Sequence, residues 1–363
     1  MTIRAMGFPG RYLQGPGASA EIPALLAEFG VRAPAIVADA VVSDALLGPL
    51  SQRLQAAGLA VHPLHFPGEC TAATIAELAA TFRAAGADSV VALGGGKTID
   101  TSKGIAKACG VPLVVAPSIA SNDSPTSRLI VLYDEAHRVA GVELMRRNPD
   151  AVVVDTNFVV QAPVRFFRAG IGDALSKRFE AGQCAVAPDA RNFFGTRPPR
   201  TAGLLADRCY DVIRGHGAEA LADVAAHRTT EAVETVVEAT VLLSGLGFES
   251  GGLSLAHALL RGFSAIPAMA GALHGEMVAY GTIVQLCAEQ RPADEIAEFA
   301  GFVASLGLPV RLADLGWAAP DDAGLRLIAE RTCAAPYIGH FQRPLDADAV
   351  RGAILEAESV GRE

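Results

Sequence analysis

The stretch from Ser89 to Lys103, reading S-V-V-A-L-G-G-G-K-T-I-D-T-S-K, limits what this chain can fold into more than any other. Ser89-Val90-Val91-Ala92-Leu93 is a short apolar, β-branched run of the kind a fully buried strand needs, and Gly94-Gly95-Gly96 ends it abruptly. The pattern predicts a helix next. Three successive glycines remove every Cβ from the turn, so backbone N–H groups can approach a phosphate, and the start of the following helix adds partial positive charge. Lys97 and Thr98 supply a cation and a hydroxyl at the same place. The plain alternative is a strand-to-helix turn with no ligand. Two familiar phosphate motifs are absent: a P-loop would need glycine where Val91 stands, and the dinucleotide fingerprint counted from Gly94 would need Gly or Ala where Ile99 stands.

The neighbouring sequence alternates in the same way. Ala35-Ile36-Val37-Ala38 predicts a strand, Ser43 to Ala57 a helix, Ala60-Val61-His62 a strand, Thr71 to Ala85 a helix, and Pro112 to Ala116 a strand. Such alternation indicates βαβ units and a parallel sheet covered on both faces, with ligands beyond the carboxyl ends of the strands. The loop Pro117 to Ser127, rich in hydroxyl and turn-forming residues, is expected beside the glycine turn. Two further extended runs, Arg128 to Tyr133 and Ala151 to Asp155, complete this half.

From Pro163 onward the pattern is helix after helix, with predicted segments near 163–186, 199–213, 217–225, 228–247, 252–262, 273–289, 293–306, 322–334 and 347–358. At 363 residues two domains are expected, an α/β domain over 1–162 and an all-helical one over 163–363, sharing a tight cleft. A net charge of −9 without clustered Lys and Arg argues against a nucleic-acid partner. The six cysteines stand singly, which predicts reduced thiols rather than disulfides or a Cys-based zinc site. With no apolar signal core and no stretch long enough to span a bilayer, a soluble, cytoplasmic protein is expected.

In the helical half Asp173 sits among small and apolar residues, a poor place for an unpaired charge. His257 stands alone in L-S-L-A-H-A-L-L, and His274 follows a break around Pro267 to Gly271 that lets the two histidines face each other. Satisfied core histidines are the simple reading; a metal site with a fourth position for water or substrate is the functional one. His62, His65, His137, His216, His227 and His340 lie in polar or loop-like contexts and are expected at the surface.

Taken together, Phe8 to Tyr12, Gly94 to Lys103, Ser118 to Tyr133, Asn148-Pro149-Asp150, Gly170 to Glu180 and His257 to His274 resemble the glycerol dehydrogenase branch of the iron-containing alcohol dehydrogenase and dehydroquinate synthase-like superfamily. The resemblance implies a nucleotide-binding α/β domain, a helical domain and a metal in the cleft between them. It assigns Gly94, Gly95, Gly96, Lys97 and Thr98 to the pyrophosphate of NAD, and Asp39 to the adenosine ribose, where a carboxylate repels a 2′-phosphate and favours NAD over NADP. Asp100, Ser118, Ser121, Ser127, Leu129 and Tyr133 would line the rest of the cofactor site. Asp123 would bind substrate hydroxyls, and Asp173, His257 and His274 would hold the metal. The resemblance further implies a small polyol substrate, with no nucleic acid or membrane partner, and a homo-oligomer such as a dimer or octamer.

One departure separates branches. The iron-dependent enzymes carry a histidine ligand four residues after the aspartate, where this chain has Lys177. A protonated lysine cannot ligate, so three ligands are expected, and zinc rather than iron. Asn122, Ser124 and Arg128 also depart from the glycerol dehydrogenase pattern; an Arg128 facing the cleft would favour an anionic substrate, and the simpler expectation is a solvated strand residue. The expected reaction is oxidation of glycerol or a related vicinal diol. The alternatives are a 2-oxo acid or other polyol oxidoreductase on the same scaffold, a dehydroquinate synthase-like lyase, and a nucleotide-binding protein without catalysis.

Overall fold

The structure is a computed structural model that describes residues 3–135 and 138–360. Six strands form one parallel sheet: β1 (Tyr12–Gly15), β2 (Pro34–Ala38), β3 (His62–His65), β4 (Ser89–Gly94), β5 (Leu113–Pro117) and β8 (Ala151–Asp155), in the spatial order β1-β8-β5-β4-β2-β3. Every residue of β2, β4, β5 and β8 is buried, as expected of strands whose two faces are both covered. Each fully buried Val, Leu or Ile side chain contributes about 1.5–3 kcal/mol.

Helices α1 (Ile22–Glu28), α2 (Ala40–Val42), α3 (Gly48–Ala56), α4 (Ala72–Ala84) and α5 (Gly96–Cys109) supply the cover. Sequence-local signals set their limits. Asp39 and Thr71 accept hydrogen bonds at the starts of α2 and α4, and Gly110 ends α5 in the left-handed conformation at φ 71°.

Two strands lie outside this sheet. β6 (Leu129–Tyr133) and β7 (Val139–Leu144) form an antiparallel pair of their own. The expected extended run from Arg128 therefore does not join the parallel sheet, and β7 carries no sequence signal because five of its six residues are exposed. β3 begins at His62 rather than Ala60, where it pairs with Ala35.

After α6 (Thr156–Gln161) the chain is helical among the described residues: α7 (Val164–Leu175), α8 (Lys177–Val186), α9 (Arg200–Ala225), α10 (Glu231–Glu238), α11 (Ser244–Gly251), α12 (Leu255–Phe263), α13 (His274–Ala288), α14 (Ala293–Ser305), α15 (Asp322–Cys333) and α16 (Ala347–Val360). The two helices expected over 199–213 and 217–225 are one, α9, which runs through Gly215 and Gly217 because its apolar side packs along its whole length, from Ala202 to Val224. No helix among the described residues is long and apolar enough to cross a membrane. All six cysteines are free thiols.

Candidate metal and cofactor site

The register of the sheet places the expected cofactor residues side by side. Ala38 pairs with Leu93, and Leu93 with Ala116, so Asp39, Gly95 and Ser118 leave the same edge of adjacent strands. Gly95 caps α5, whose first turn is Gly96-Lys97-Thr98, and no Cβ obstructs the approach to its free N–H groups. A Cβ on Gly96 would stand 2.7 Å from the Asn122 amide, and one on Gly94 would stand 2.7 Å from Thr98. Asp39 accepts from Val42 N–H at 2.9 Å and from the Thr98 hydroxyl at 3.3 Å, which fixes its carboxylate beside the glycine turn. Ser118 donates its N–H to Gly94 O at 3.0 Å.

Other expected cofactor residues work inward. Asp100 is buried and accepts from Lys103 at 3.0 Å, the Ser124 hydroxyl at 2.7 Å and Val131 N–H at 3.0 Å. Lys103, fully buried, also donates to the carbonyls of Ser124 and Leu129 and lies 3.4 Å from Ser127 Oγ. Asp100, Ser127 and Leu129 thus hold the loop over the cleft in shape. Lys97 turns its ammonium to Glu69 at 2.7 Å and lies over the Tyr133 ring. Arg128 is committed as well: its guanidinium bonds Phe193 O at 2.5 Å, sits 3.4 Å from Glu249 and covers Phe194. Ser121 lies in the same loop, half-buried.

The facing wall is built by close helix contacts. A Cβ on Gly170 would stand 2.0 Å from Ala120 O, and one on Gly275 would stand 1.7 Å from Ala169 O. Only glycine lets α7 touch the 120–121 loop and the start of α13 at once. Arg165 of α7 grips Glu276 through two bonds of 2.7 Å, and Glu276 accepts from Leu273 N–H at 2.8 Å, which seats His274 at the first position of α13. Asp173, one helical turn beyond Ala169, faces it.

Asp173, His257 and His274 therefore converge, with one ligand atom from each lying within 4.8 Å of the others. Asp173 Oδ1 stands 3.3 Å from His257 Nε2 and 3.6 Å from His274 Nε2. Donors around a tetrahedral ion with bonds of about 2.0–2.1 Å stand about 3.3–3.4 Å apart, so the set fits a divalent metal. Asp173 Oδ2 is buried with no hydrogen-bond partner, an orphan that an ion would satisfy.

Glu180 completes the arrangement from behind. Its Oε2 accepts from His257 Nδ1 at 2.6 Å, and its Oε1 accepts from the N–H groups of Ser254 and His257. An ionised carboxylate only accepts, so Nδ1 carries the proton and Nε2 is aimed at Asp173. Burial alone would raise Glu180, but His257 outweighs it and holds the carboxyl below its ordinary value. Burial would likewise lower His257, but Glu180 overrides this and lifts the ring to about 9. Asp173, despite complete burial, is held well below the usual carboxylate range by Lys177 and the two histidines.

Lys177 is fully buried, with its ammonium 2.6 Å from Asp173 Oδ1, 3.0 Å from Asp123 Oδ2 and 3.4 Å from His257 Nε2. Burial would depress it, yet Asp123, Asp173 and Glu180 keep it above its ordinary value. Asp123 also accepts from the Ser244 hydroxyl at 3.1 Å; burial and then the charge of Asp173 raise its carboxyl. Glu180, Ser244 and the Arg165–Glu276 clamp carry no role in the sequence reading. Glu180 has one usable signal, a carboxylate spaced seven residues from Asp173 and so on the same helix face. Of the remaining histidines, His65, His216 and His227 are exposed, His62 and His340 are half-buried, and His137 lies outside the described residues.

A family model, iron-containing alcohol dehydrogenase, matches residues 9–156. The glycolaldehyde reductase of Halobacterium salinarum is 39% identical over 98% of this chain and 97% of its own length. The chain belongs to the iron-containing alcohol dehydrogenase family. It is an oxidoreductase. A glycerol dehydrogenase of Escherichia coli is 37% identical over 99% of this chain and 98% of its own length. The crystal structure of a probable glycerol dehydrogenase from Sinorhizobium meliloti superposes with a TM-score of 0.92 at 38% identity, covering 99% of both chains.

Proposed function

We propose that this oxidoreductase converts a small vicinal diol, glycerol first among them, to the hydroxyketone with NAD as the hydride acceptor. The observation that carries this reading is the convergence of Asp173, His257 and His274 within 4.8 Å, backed by Glu180 and facing the glycine turn through the Asp123 loop. A zinc ion held by Asp173, His257 and His274 would lower the pKa of a substrate hydroxyl, and bound NAD would take the hydride. Three protein ligands, with Lys177 standing where a fourth could be, favour zinc over iron.

The chain's own residues do the positioning. Glu180 orients His257 and keeps its Nε2 turned toward Asp173. Asp123 commits Oδ2 to Lys177 and Ser244, which leaves Oδ1 to accept from a substrate hydroxyl. The N–H groups after Gly95 receive a pyrophosphate, and the Asp39 carboxylate at the end of β2 disfavours a 2′-phosphate. With Arg128 bound to Phe193 and Glu249, no free guanidinium is offered by that residue to a substrate carboxylate, which favours a neutral diol over a 2-oxo acid.

A substrate panel on metal-analysed protein tests the reading. NADH should form with glycerol and propane-1,2-diol, and glycolaldehyde should be reduced in the reverse direction. Turnover of a 2-oxo acid with NADH and of no diol would overturn it.

A further inference from the structure

Lys177 is a buried group at the centre of this site that metal-assisted diol oxidation does not require. Its ammonium stands 2.6 Å from Asp173 Oδ1, 3.0 Å from Asp123 Oδ2 and 3.4 Å from His257 Nε2. Two of the three are groups assigned to the metal. We propose that Lys177 is a resident cation of the site that competes with the divalent ion for Asp173 and His257, so that the metal is held weakly and exchangeably. The inference rests on the metal assignment above.

Asp173, Lys177 and Glu180 lie on one face of the nearly continuous helix formed by α7 and α8, so the four-residue spacing from Asp173 brings the ammonium back onto the carboxylate. The side chain is fully buried, so bulk solvent screens the ammonium only weakly from an ion on the same carboxylate. An ion seated between the two histidines meets Asp173 at Oδ1, the oxygen that already holds the ammonium, so it must push the ammonium aside or tolerate a like charge close by. Asp123 receives the displaced ammonium, since it already holds it at 3.0 Å and belongs to a loop anchored through Ser244. The same contacts help two buried carboxylates coexist before metal arrives, because Lys177 pairs with each of them.

Competition and simple structural support predict opposite signs. A lysine that merely shaped the site would, once removed, weaken metal binding. A competing lysine would, once removed, strengthen it. Zinc affinity is measured by competition with a chromophoric chelator for the wild type, Lys177→Met and Lys177→Gln, and the zinc-induced shift in melting temperature is recorded alongside. Both variants should bind zinc about tenfold more tightly or better, with a larger melting shift than the wild type. Gln keeps a hydrogen-bond donor without the charge, so it reports on the charge if Met folds poorly. Equal or weaker zinc binding in folded variants would overturn the role of Lys177. Absence of zinc binding in all three proteins would overturn the metal assignment itself.

Discussion

His257 carries a charge coupling that bears directly on metal loading. Its ring sits near 9 against an ordinary 6.5 because Glu180, 2.6 Å from Nδ1, outweighs the cost of burial. A group whose folded value is raised contributes stability in full below its unfolded value and loses it as pH rises through its folded value. In the metal-free protein that contribution is complete below about pH 6.5 and declines through about pH 9. The melting temperature of metal-stripped protein should therefore fall between pH 6 and pH 10 more steeply than that of a His257→Asn variant; parallel curves would contradict the assignment. Metal ligation requires the neutral ring, so zinc affinity should rise over the same interval.

Among the elements, α7 is the piece whose approach makes the site. Its contact with the 120–121 loop leaves no room for a side chain at Gly170, where a Cβ would meet backbone at 2.0 Å. Gly182 on α8 has nothing within 4 Å and is its internal control. Gly170→Ala should destabilise the protein by about 1–3 kcal/mol or more through overpacking, and should weaken metal retention because α7 must move. Gly182→Ala should be neutral or stabilising by up to about 1 kcal/mol through helix propensity. Denaturant melts and zinc analysis of the two variants compare them, and equal stability would show that the close approach does not matter.

At the scale of the whole molecule, the parts legible in the sequence are those where one local pattern has one outcome. The β-branched run ending in Gly94-Gly95-Gly96 reads as strand, turn and helix, and it is β4 and α5. Asp173, His257 and His274 stand out as polar residues on apolar helices, and the structure gathers them. What was not legible depends on packing between distant segments. β7 is exposed on both faces and alternates nothing, so only its pairing with β6 makes it a strand. Gly215-His216-Gly217 looks like a helix stop, yet the packing of α9 on its neighbours carries the helix through. Lys177 is visible as a departure at the fourth position after Asp173, but the second carboxylate that its ammonium meets, Asp123, comes from a loop more than fifty residues away. The bond that the buried Lys103, one turn later, makes to Asp100 likewise has no signal in the local pattern.

These scales meet in one claim, that diol oxidation depends on a metal held by Asp173, His257 and His274. The direct measurement is NADH formation from glycerol by chelator-stripped protein as zinc is added back, with His274→Ala run in parallel. Activity should be slight without metal, recover to a plateau near one zinc per chain, and stay absent in His274→Ala. Full activity in protein shown by elemental analysis to hold no metal would contradict it.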